Sequence, residues 1–571
     1  MKAERRTHKI KYLVGRIFSP EALVYVLPLL LIIPNIGLDI ADFNSVWAKL
    51  ANTFLPLGVY LVLCSLSIKI GRTTLFFIPL MILCAFQIVL LFLYGQNIIA
   101  IDMFMNVMTT NAMEVGELLG NLKTAILTVI LLYLPPIVLG VIFTVKKQYA
   151  PAKSLKTARR VGVPFIMIGL ACWICAEVFV PTFRASREFF PYNVCSNMVT
   201  AIERADQAEH YKDTSREFTY HATSTRPDTL PEVYVFVIGE TARADNWQLF
   251  GYGRETNPRL TKRHGITAFG RTLSEINTTH KSVPMLMSNL NSATFGDSVN
   301  YTNSIFEAFN TSGYKTVFVS NQRRNNSYID FFGEQAQSHE FLTDKKGPDY
   351  DMALADKLAK AVQENKGQKL FVILHSYGSH FEYKKRYPKE YSYFKPDVKA
   401  EASASNRTQL INAYDNTIRY TDAVLDSIIG TLASMHVPSG LVYVSDHGED
   451  IFDDERGRFL HASPVPTYQQ LHVPMIVWVS DEYAQLNSKA AEALRANKDK
   501  NVSSSASVFH TLVDLAGLRT PYLNRSQSLA SPTFKEPTRL YLNDYNESVP
   551  LRESGLRPPD YQALDSARIT F

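Results

Sequence analysis

Four apolar runs in the second half of the chain stop at residues able to do chemistry. VYVFVIGET ends at Gly239, Glu240 and Thr241, YKTVFVSNQ at Asn321 and Gln322, KLFVILHSYGSH at His375 and His380, and LVYVSDHGE at Asp446, His447 and Glu449. Carboxylates and imidazoles gathered at one place are what a divalent metal needs, and an oxygen-rich set with some nitrogen suits zinc or manganese. Asp446 and His447 form the strongest pair, because adjacent residues at a strand end can both turn toward one ion, and Gly448 eases that turn. Glu240 has a second reading, as the cap of a following helix. His461, in GRFLHASP, follows the charged loop EDIFDDERG, which could carry it back over the strand ends; read alone, it and His380 are solvated loop residues. The stretch INTTHKSVPML, Ile276 to Leu286, adds two threonines, a histidine, a lysine and a serine ahead of a proline. One of these hydroxyls is a candidate nucleophile, provided a metal favours its alkoxide.

Such strand ends need a sheet to position them. From Pro231 onward short β-branched runs alternate with helical stretches, which predicts an α/β domain over residues 231–571. In open α/β sheets ligands bind beyond the carboxyl ends of the strands, where these side chains fall. The tail beyond Arg519, rich in Pro, Ser and Arg, is expected to wrap the surface. Residues 183–230 are polar, with Phe189, Phe190 and Tyr192 near their start, and read as a linker with interfacial helices.

Residues 1–182 are of another kind. Ala22 to Leu38, Thr53 to Ile68, Thr74 to Tyr94, Thr124 to Val145 and Val161 to Val180 are apolar blocks, each roughly long enough to cross a ~30 Å hydrocarbon layer. The simplest count is five transmembrane helices, the second being the shortest and opening near polar Asn52 and Thr53. The first begins too far from Met1 and lacks a small-residue cleavage site, so a removed signal peptide is not expected. Lys2, Arg5, Arg6, Lys9, Lys11 and Arg16 precede it, Lys69 and Arg72 follow the second block, and Lys146 to Arg160 hold six more basic residues; the alternate loops carry Asp39, Asp42, Asp102, Glu114 and Glu117 against Lys49 and Lys123. By the positive-inside rule the N-terminus is cytoplasmic, and five crossings place everything after residue 182 outside. The net charge of +5 over 571 residues gives no support for nucleic-acid binding. None of the five cysteines lies beyond Cys195, so the α/β domain holds no internal disulfide. No GxxxxGK[ST] phosphate cradle occurs.

Taken together, GETARADNWQLFGYGRETNPRL (Gly239 to Leu260), TTHKSVPM (Thr278 to Met285), GSHFEYKKRYP (Gly378 to Pro388), SDHGE (Ser445 to Glu449) and LHASP (Leu460 to Pro464) resemble the membrane phosphoethanolamine transferases of the alkaline-phosphatase/sulfatase superfamily, the lipid A modifying and mobile colistin resistance type. The likeness covers nearly the whole chain. It implies a five-span helical membrane domain (1–182) and linker (183–230) ahead of an exported sulfatase-like α/β domain (231–571). It also implies an enzyme of the bacterial inner membrane, with its catalytic domain in the periplasm. The nucleophile stands three residues before the serine of Ser-Val-Pro, here Ser282, which gives Thr279. The resemblance further implies that Glu240, Asp446 and His447 bind one or two Zn2+ ions together with Thr279, Mn2+ being the lesser alternative. His380 and His461 match histidines that contact the phosphoryl group or a second zinc and serve as proton carriers. Asn321 and Gln322 fall near the phosphate. NVMTTNAMEVGELL resembles the donor-binding stretch, giving Asn106, Thr110 and Glu114 to the substrate.

The implied partners are a phosphatidylethanolamine donor, membrane lipid, and an envelope glycolipid or glycan acceptor such as lipid A or a core sugar, with the protein a monomer. The missing cysteines near the nucleophile set this chain apart from relatives stapled there by a disulfide, so the acceptor stays open. A phosphoglycerol transferase that uses phosphatidylglycerol shares topology, metal and threonine and is the main alternative. A catalytically inactive membrane-anchored binding protein is the alternative of another class. A sulfatase activity is disfavoured, since Ser282-Val283-Pro284 is followed by Met285 and Leu286 and not by the arginine of a C/S-x-P-x-R motif.

Overall fold

In the computed structural model, residues 18–41, 45–94, 99–109, 122–180, 183–344, 349–398 and 402–571 are described. The chain divides into two compact units, one of Met1–Ile101 with Leu118–Ala201 and one of Asp102–Glu117 with Ile202–Phe571.

The first unit is helical. Among the described residues, Pro20–Asp39, Val46–Cys64, Lys123–Val145 and Ala152–Phe179 are long and apolar enough to cross a membrane. Ile70–Phe76 and Ile78–Leu93 meet at a 52° bend and make a fifth candidate if counted as one span. The third block therefore differs from a straight helix: Phe77 closes one helix and the next opens at Ile78. The second helix begins at Val46, ahead of the polar pair Asn52 and Thr53. Inside it Asn52 donates to Asp39 Oδ1 at 2.8 Å and Thr53 bonds the same carboxylate, so both polar groups are satisfied within the bundle. The last helix begins at Ala152, so the basic run Lys153 to Arg160 is helical as well. Val46–Cys64 and Ala152–Phe179 pack closely because Gly58 faces Gly162; a Cβ on Gly58 would lie 2.7 Å from the Gly162 carbonyl.

The second unit is built on a seven-stranded sheet. Its strands in chain order are β1 (Glu232–Gly239), β2 (Ile266–Phe269), β3 (Lys315–Ser320), β4 (Ser338–Phe341), β5 (Lys369–His375), β6 (Ser439–Ser445) and β7 (Met475–Val479). They lie in the order β2-β7-β6-β1-β5-β3-β4, with β7 antiparallel to both of its neighbours and β6, β1, β5, β3 and β4 parallel. Strands buried on both faces read as continuous apolar runs, which is why β1, β5 and β6 carry no polar alternation. Tyr234, Phe236 and Ile238 share a core with Phe306 and Phe309 of the helix Ile305–Thr311 and Phe509 and Leu512 of the helix Ser504–Leu515. The alternate residues face the helices Met352–Glu364 and Arg407–Ala433, which touch β5 and β6 respectively. The tail beyond Arg519 does more than wrap the surface. Leu529, Tyr541, Leu542, Leu564 and Ile569 are buried in the same core, an apolar minority that the Pro-, Ser- and Arg-rich composition conceals.

His510, on the Ser504–Leu515 helix, carries a pH dependence. Its Nδ1 accepts the Asn524 N–H at 3.2 Å, and burial pushes the imidazole down from its ordinary 6.5 to about 4. A depressed histidine lends stability that is complete above its unfolded pKa and is lost as pH falls toward the folded one. Acidification from pH 7 to 5 should therefore cost about 2 kcal/mol through this residue. His510→Gln keeps an acceptor without the titration, and its unfolding temperature should fall less over that interval; an equal fall in both proteins would refute the assignment.

Candidate active site

The four parallel strands that the sequence reading singles out are neighbours, and their ends align: Gly239 pairs with Ser445, and Ile238 and Ser320 both pair with His375. The residues that follow therefore leave the sheet along one edge.

Glu240 and Asp446 are both fully buried there. Thr241, next to Glu240, takes a left-handed φ of 60°, costly for a β-branched residue. Its N–H donates to Asp446 Oδ1 at 3.1 Å and its carbonyl accepts the Tyr414 hydroxyl at 2.7 Å. The turn after β1 is thus held against the turn after β6. The His380 loop comes equally near: Ser379 N–H donates to the Glu240 carbonyl at 2.9 Å. Gly378 has a φ of 54°, and a Cβ there would lie 2.6 Å from the Glu240 oxygen, so the glycine is required by the Glu240 backbone.

Thr279 is the first residue of the helix Thr279–Leu286, half-buried, and its hydroxyl reaches the cluster. Oγ1 lies 2.9 Å from His447 Nε2 and 3.4 and 3.5 Å from the two Glu240 oxygens. Thr278 is buried and, among the described residues, its hydroxyl has no partner. Of the two threonines, then, only Thr279 presents its oxygen to the strand ends. Helical spacing puts Ser282 on the same face as Thr279, and its hydroxyl donates to the Asp446 carbonyl at 2.7 Å, as does that of Ser274. Ser282→Ala should cost about 1 kcal/mol of stability and lower turnover about tenfold by loosening this seat; full activity with lowered stability would deny Ser282 any part in seating Thr279.

His447 donates from Nδ1 to the Gly448 carbonyl at 2.9 Å, which leaves Nε2 as the lone-pair nitrogen facing Thr279 and, at 3.2 Å, Asp446 Oδ2. Burial pushes Asp446 well above the usual carboxylate range and the Glu240 charge adds to this. Burial acts the same way on Glu240, but His447 and His380 outweigh it and hold that carboxyl low. His461 faces His447 with ring centroids 4.1 Å apart, and Glu449 Oε2 lies 3.5 Å from its Nδ1. His380 donates from Nδ1 to the Phe381 carbonyl at 2.6 Å and its ring lies 6.2 Å from that of His461. Glu240, His447 and His461 can each offer a ligand atom within 4.8 Å of the others'. His461 therefore joins the possible ligand set as well as the list of proton carriers. Asp446 Oδ2, buried and facing the lone-pair Nε2 of His447 at 3.2 Å, is a further oxygen that suits a cation. The donors present, carboxylate, imidazole and hydroxyl, fit zinc.

Asn321 and Gln322 part company. Gln322 donates from Nε2 to Glu240 Oε2 at 2.9 Å and belongs to the site. Asn321 turns the other way, donating to Asp351 Oδ1 at 2.8 Å, and Asp351 in turn receives the N–H groups of Tyr377 and Gly378. Asn321 thus supports the His380 loop from behind. His375 is a buried neutral imidazole, lowered to about 4 by desolvation and bonded to Ser320. Thr110 and Glu114 lie outside the described residues, as does the side chain of Asn106.

Two contributors, Asn277 and Tyr541, escape sequence reading. Asn277 donates to the Ser463 carbonyl at 2.8 Å and its own carbonyl accepts the Ala462 N–H at 3.1 Å, tying the His461 loop to the Thr279 segment. Leu460 and Ala462, on either side of His461, have φ of 67° and 61°, a strained seat that this tie holds. Glu449 backs His461, and Tyr541 donates to Asn277 Oδ1 at 3.0 Å. Partners so far off in sequence leave no local signal.

Residues 232–518 match the sulfatase family model, and residues 57–208 match the model described as phosphoethanolamine transferase EptA/EptB. Among curated proteins, the Kdo(2)-lipid A phosphoethanolamine 7''-transferase of Escherichia coli (strain K12) is 30% identical over 319 residues, covering 54% of this chain and 55% of that relative. The match thus spans about half the length of the relative. Among solved structures, the integral membrane lipooligosaccharide phosphoethanolamine transferase A of Neisseria meningitidis aligns with a TM-score of 0.70 at 22% identity, over 91% of this chain and 99% of that one. The C-terminal periplasmic domain of EcEptC from Escherichia coli, in complex with Zn, aligns at 0.53 and 24% identity, over 60% of this chain and 97% of that one. These two carry the fold: a helical N-terminal region followed by a sulfatase-like α/β domain. The chain is a member of the sulfatase family, of the kind in which a phosphoethanolamine transferase EptA/EptB segment precedes the sulfatase region.

Proposed function

We propose that this protein transfers phosphoethanolamine from phosphatidylethanolamine to a hydroxyl of an envelope glycolipid or glycan, through a covalent intermediate on Thr279. The observation that carries the reading is the Thr279 hydroxyl at a helix start, 2.9 Å from a lone-pair imidazole nitrogen and beside two buried carboxylates. The named relatives act in phosphoethanolamine transfer, and one was solved with zinc.

In the first half-reaction Thr279 Oγ attacks phosphorus and gives up its proton as the bond to the diacylglycerol oxygen breaks, that oxygen leaving with a proton. His447 Nε2 lies 2.9 Å from the Thr279 oxygen and, with Nδ1–H on the Gly448 carbonyl, keeps its one lone pair for the zinc, so the proton goes to His380. The acceptor hydroxyl then attacks the phosphothreonine, and the Thr279 oxygen regains a proton. His380, whose Nδ1–H is fixed on the Phe381 carbonyl, keeps Nε2 for proton exchange with leaving and entering oxygens, and His461 stands across from it. Glu240, Asp446 and His447, with Thr279 and in reach of His461, would hold the zinc. Zinc supplies stabilisation of the threonine alkoxide and of phosphoryl charge. Gln322 keeps Glu240 oriented.

In this reading the bent pair counts as one of five spans, the N-terminus is cytoplasmic, the catalytic domain is periplasmic and the membrane is the bacterial inner membrane. Domains run 1–182, 183–230 and 231–571, and Asn106, Thr110 and Glu114 meet the donor headgroup. The deciding experiment offers the purified full chain vesicles of labelled phosphatidylethanolamine or phosphatidylglycerol and follows diacylglycerol release by thin-layer analysis. Release from the ethanolamine lipid supports the proposal, and release only from phosphatidylglycerol overturns it. Mass spectrometry of envelope fractions with and without the gene then names the acceptor.

A further inference from the structure

The Thr279 helix is held from two sides. Thr279 and Ser282 face the strand ends, whereas His280 and Lys281 point elsewhere, to a carboxylate far away in sequence. Lys281 Nζ lies 2.7 Å from Asp102 Oδ2, and His280 Nε2 lies 3.3 Å from Asp102 Oδ1. Asp102 and Lys281 are 1% and 3% exposed. Arg204 Nη1 approaches Asp102 Oδ1 at 3.7 Å and donates to the Asp544 carbonyl at 2.9 Å, while Lys281 also reaches the Asn543 carbonyl at 3.3 Å.

A lysine ammonium buried so fully requires a carboxylate, and leaving either member alone is far costlier than lacking both. Asp102 belongs to the helix Ile101–Thr109, in the segment that joins the apolar helices Ile78–Tyr94 and Lys123–Val145, and it falls in the same compact unit as Lys281. This ion pair lies outside the cluster that would hold metal and phosphoryl group, and it contacts the residues directly after the nucleophile.

We propose that Asp102 is a positioning residue for Thr279: by holding Lys281 and His280 it fixes the start of the nucleophile helix to the helix Ile101–Thr109, so that the hydroxyl is held toward the strand ends. The role given to Thr279 rests on the phosphoethanolamine reading; the tether itself does not.

Two measurements on the full chain in lipid nanodiscs test this. With fluorescent phosphatidylethanolamine as donor, Asp102→Asn and Lys281→Met should each lower kcat about tenfold or more, with donor KM changed less than about threefold. Asp102→Glu should retain most activity, and the charge swap Asp102→Lys with Lys281→Asp should recover more than either single change. In parallel, amide hydrogen exchange over residues 101–109 should speed up about tenfold in Lys281→Met while residues 232–239 keep their protection. Unaltered exchange over 101–109 overturns the tether whatever the enzyme does to lipid. Altered exchange with unchanged kcat, or no recovery in the swap, overturns the positioning role. A wild-type chain that ignores phosphatidylethanolamine refutes the donor assignment, and the exchange comparison still decides the tether.

Discussion

Thr279→Ala should abolish transfer, lowering turnover at least about a thousandfold, while the protein folds and takes up metal through its remaining ligands. The reason is positional. Thr279 is half-buried at the first position of its helix, so losing its hydroxyl and methyl group disturbs little packing, and a stability change within about 1 kcal/mol is expected. Yet its oxygen is the one hydroxyl oxygen of this segment that meets His447 and Glu240. Thr279→Ser keeps the oxygen and should keep measurable activity; Thr279→Val keeps the shape and should not. Thr278 supplies the control. Its hydroxyl is buried without a partner among the described residues, a cost of about 1–3 kcal/mol to the fold. Thr278→Val should therefore be active and no less stable than the parent. Diacylglycerol release, metal content and thermal unfolding measured on all four variants decide the matter, and equal inactivity of the Thr278 and Thr279 variants would sink the assignment.

Asp446→Asn should reverse its effect on stability according to whether metal is present. Asp446 and Glu240 share a site closed to water, and the charges that act most on Glu240 are the imidazoles of His447 and His380. Without a cation the two carboxylates repel, which is why burial and Glu240 together push Asp446 so far up. Replacing this acid by a neutral amide in Asp446→Asn removes the cost of burying it beside Glu240 and should stabilise the chelated protein by about 1–3 kcal/mol. With zinc added the order inverts, because the parent gains binding free energy that the variant lacks. Activity of the variant should fall at least about a thousandfold in either state. Unfolding temperatures with chelator and with zinc, alongside bound-zinc analysis, give the test; a variant less stable than the parent under both conditions would mean that the site is held by hydrogen bonds and not poised for a cation.

What could be read from the sequence and what could not divide along a physical line. A strand buried on both faces must be apolar throughout, so the ends of β1, β3, β5 and β6 announce themselves by the first polar residue, and Glu240, Gln322, Asp446 and His447 follow directly. Side-chain direction is harder, because successive residues leaving a strand point to opposite sides. Asn321 and Gln322 look equivalent in sequence, and only one faces Glu240. The bend at Phe77 did have a signal, Pro79 in the first turn of the following helix, whose missing N–H and ring break a helix that runs through it, but the unbroken apolar run around it reads as one block. Asn277, Ser274 and Asp102 act through partners remote in the chain, and no periodicity encodes such meetings.

The carboxyl-terminal strand that passes beneath the nucleophile loop imposes an order of events. Leu542 N–H donates to the Glu275 carbonyl at 2.8 Å, and Tyr541 bonds Asn277, the residue that joins the Thr279 segment to the His461 loop. These contacts close loops of more than two hundred residues, and ribosomes deliver residues 541 and 542 late. A nascent chain can thus assemble the sheet and its aligned strand ends before it can lock the loop that carries Thr279. The Thr279 segment is therefore the part of the site that must wait for its partner, however early the strand ends are in place.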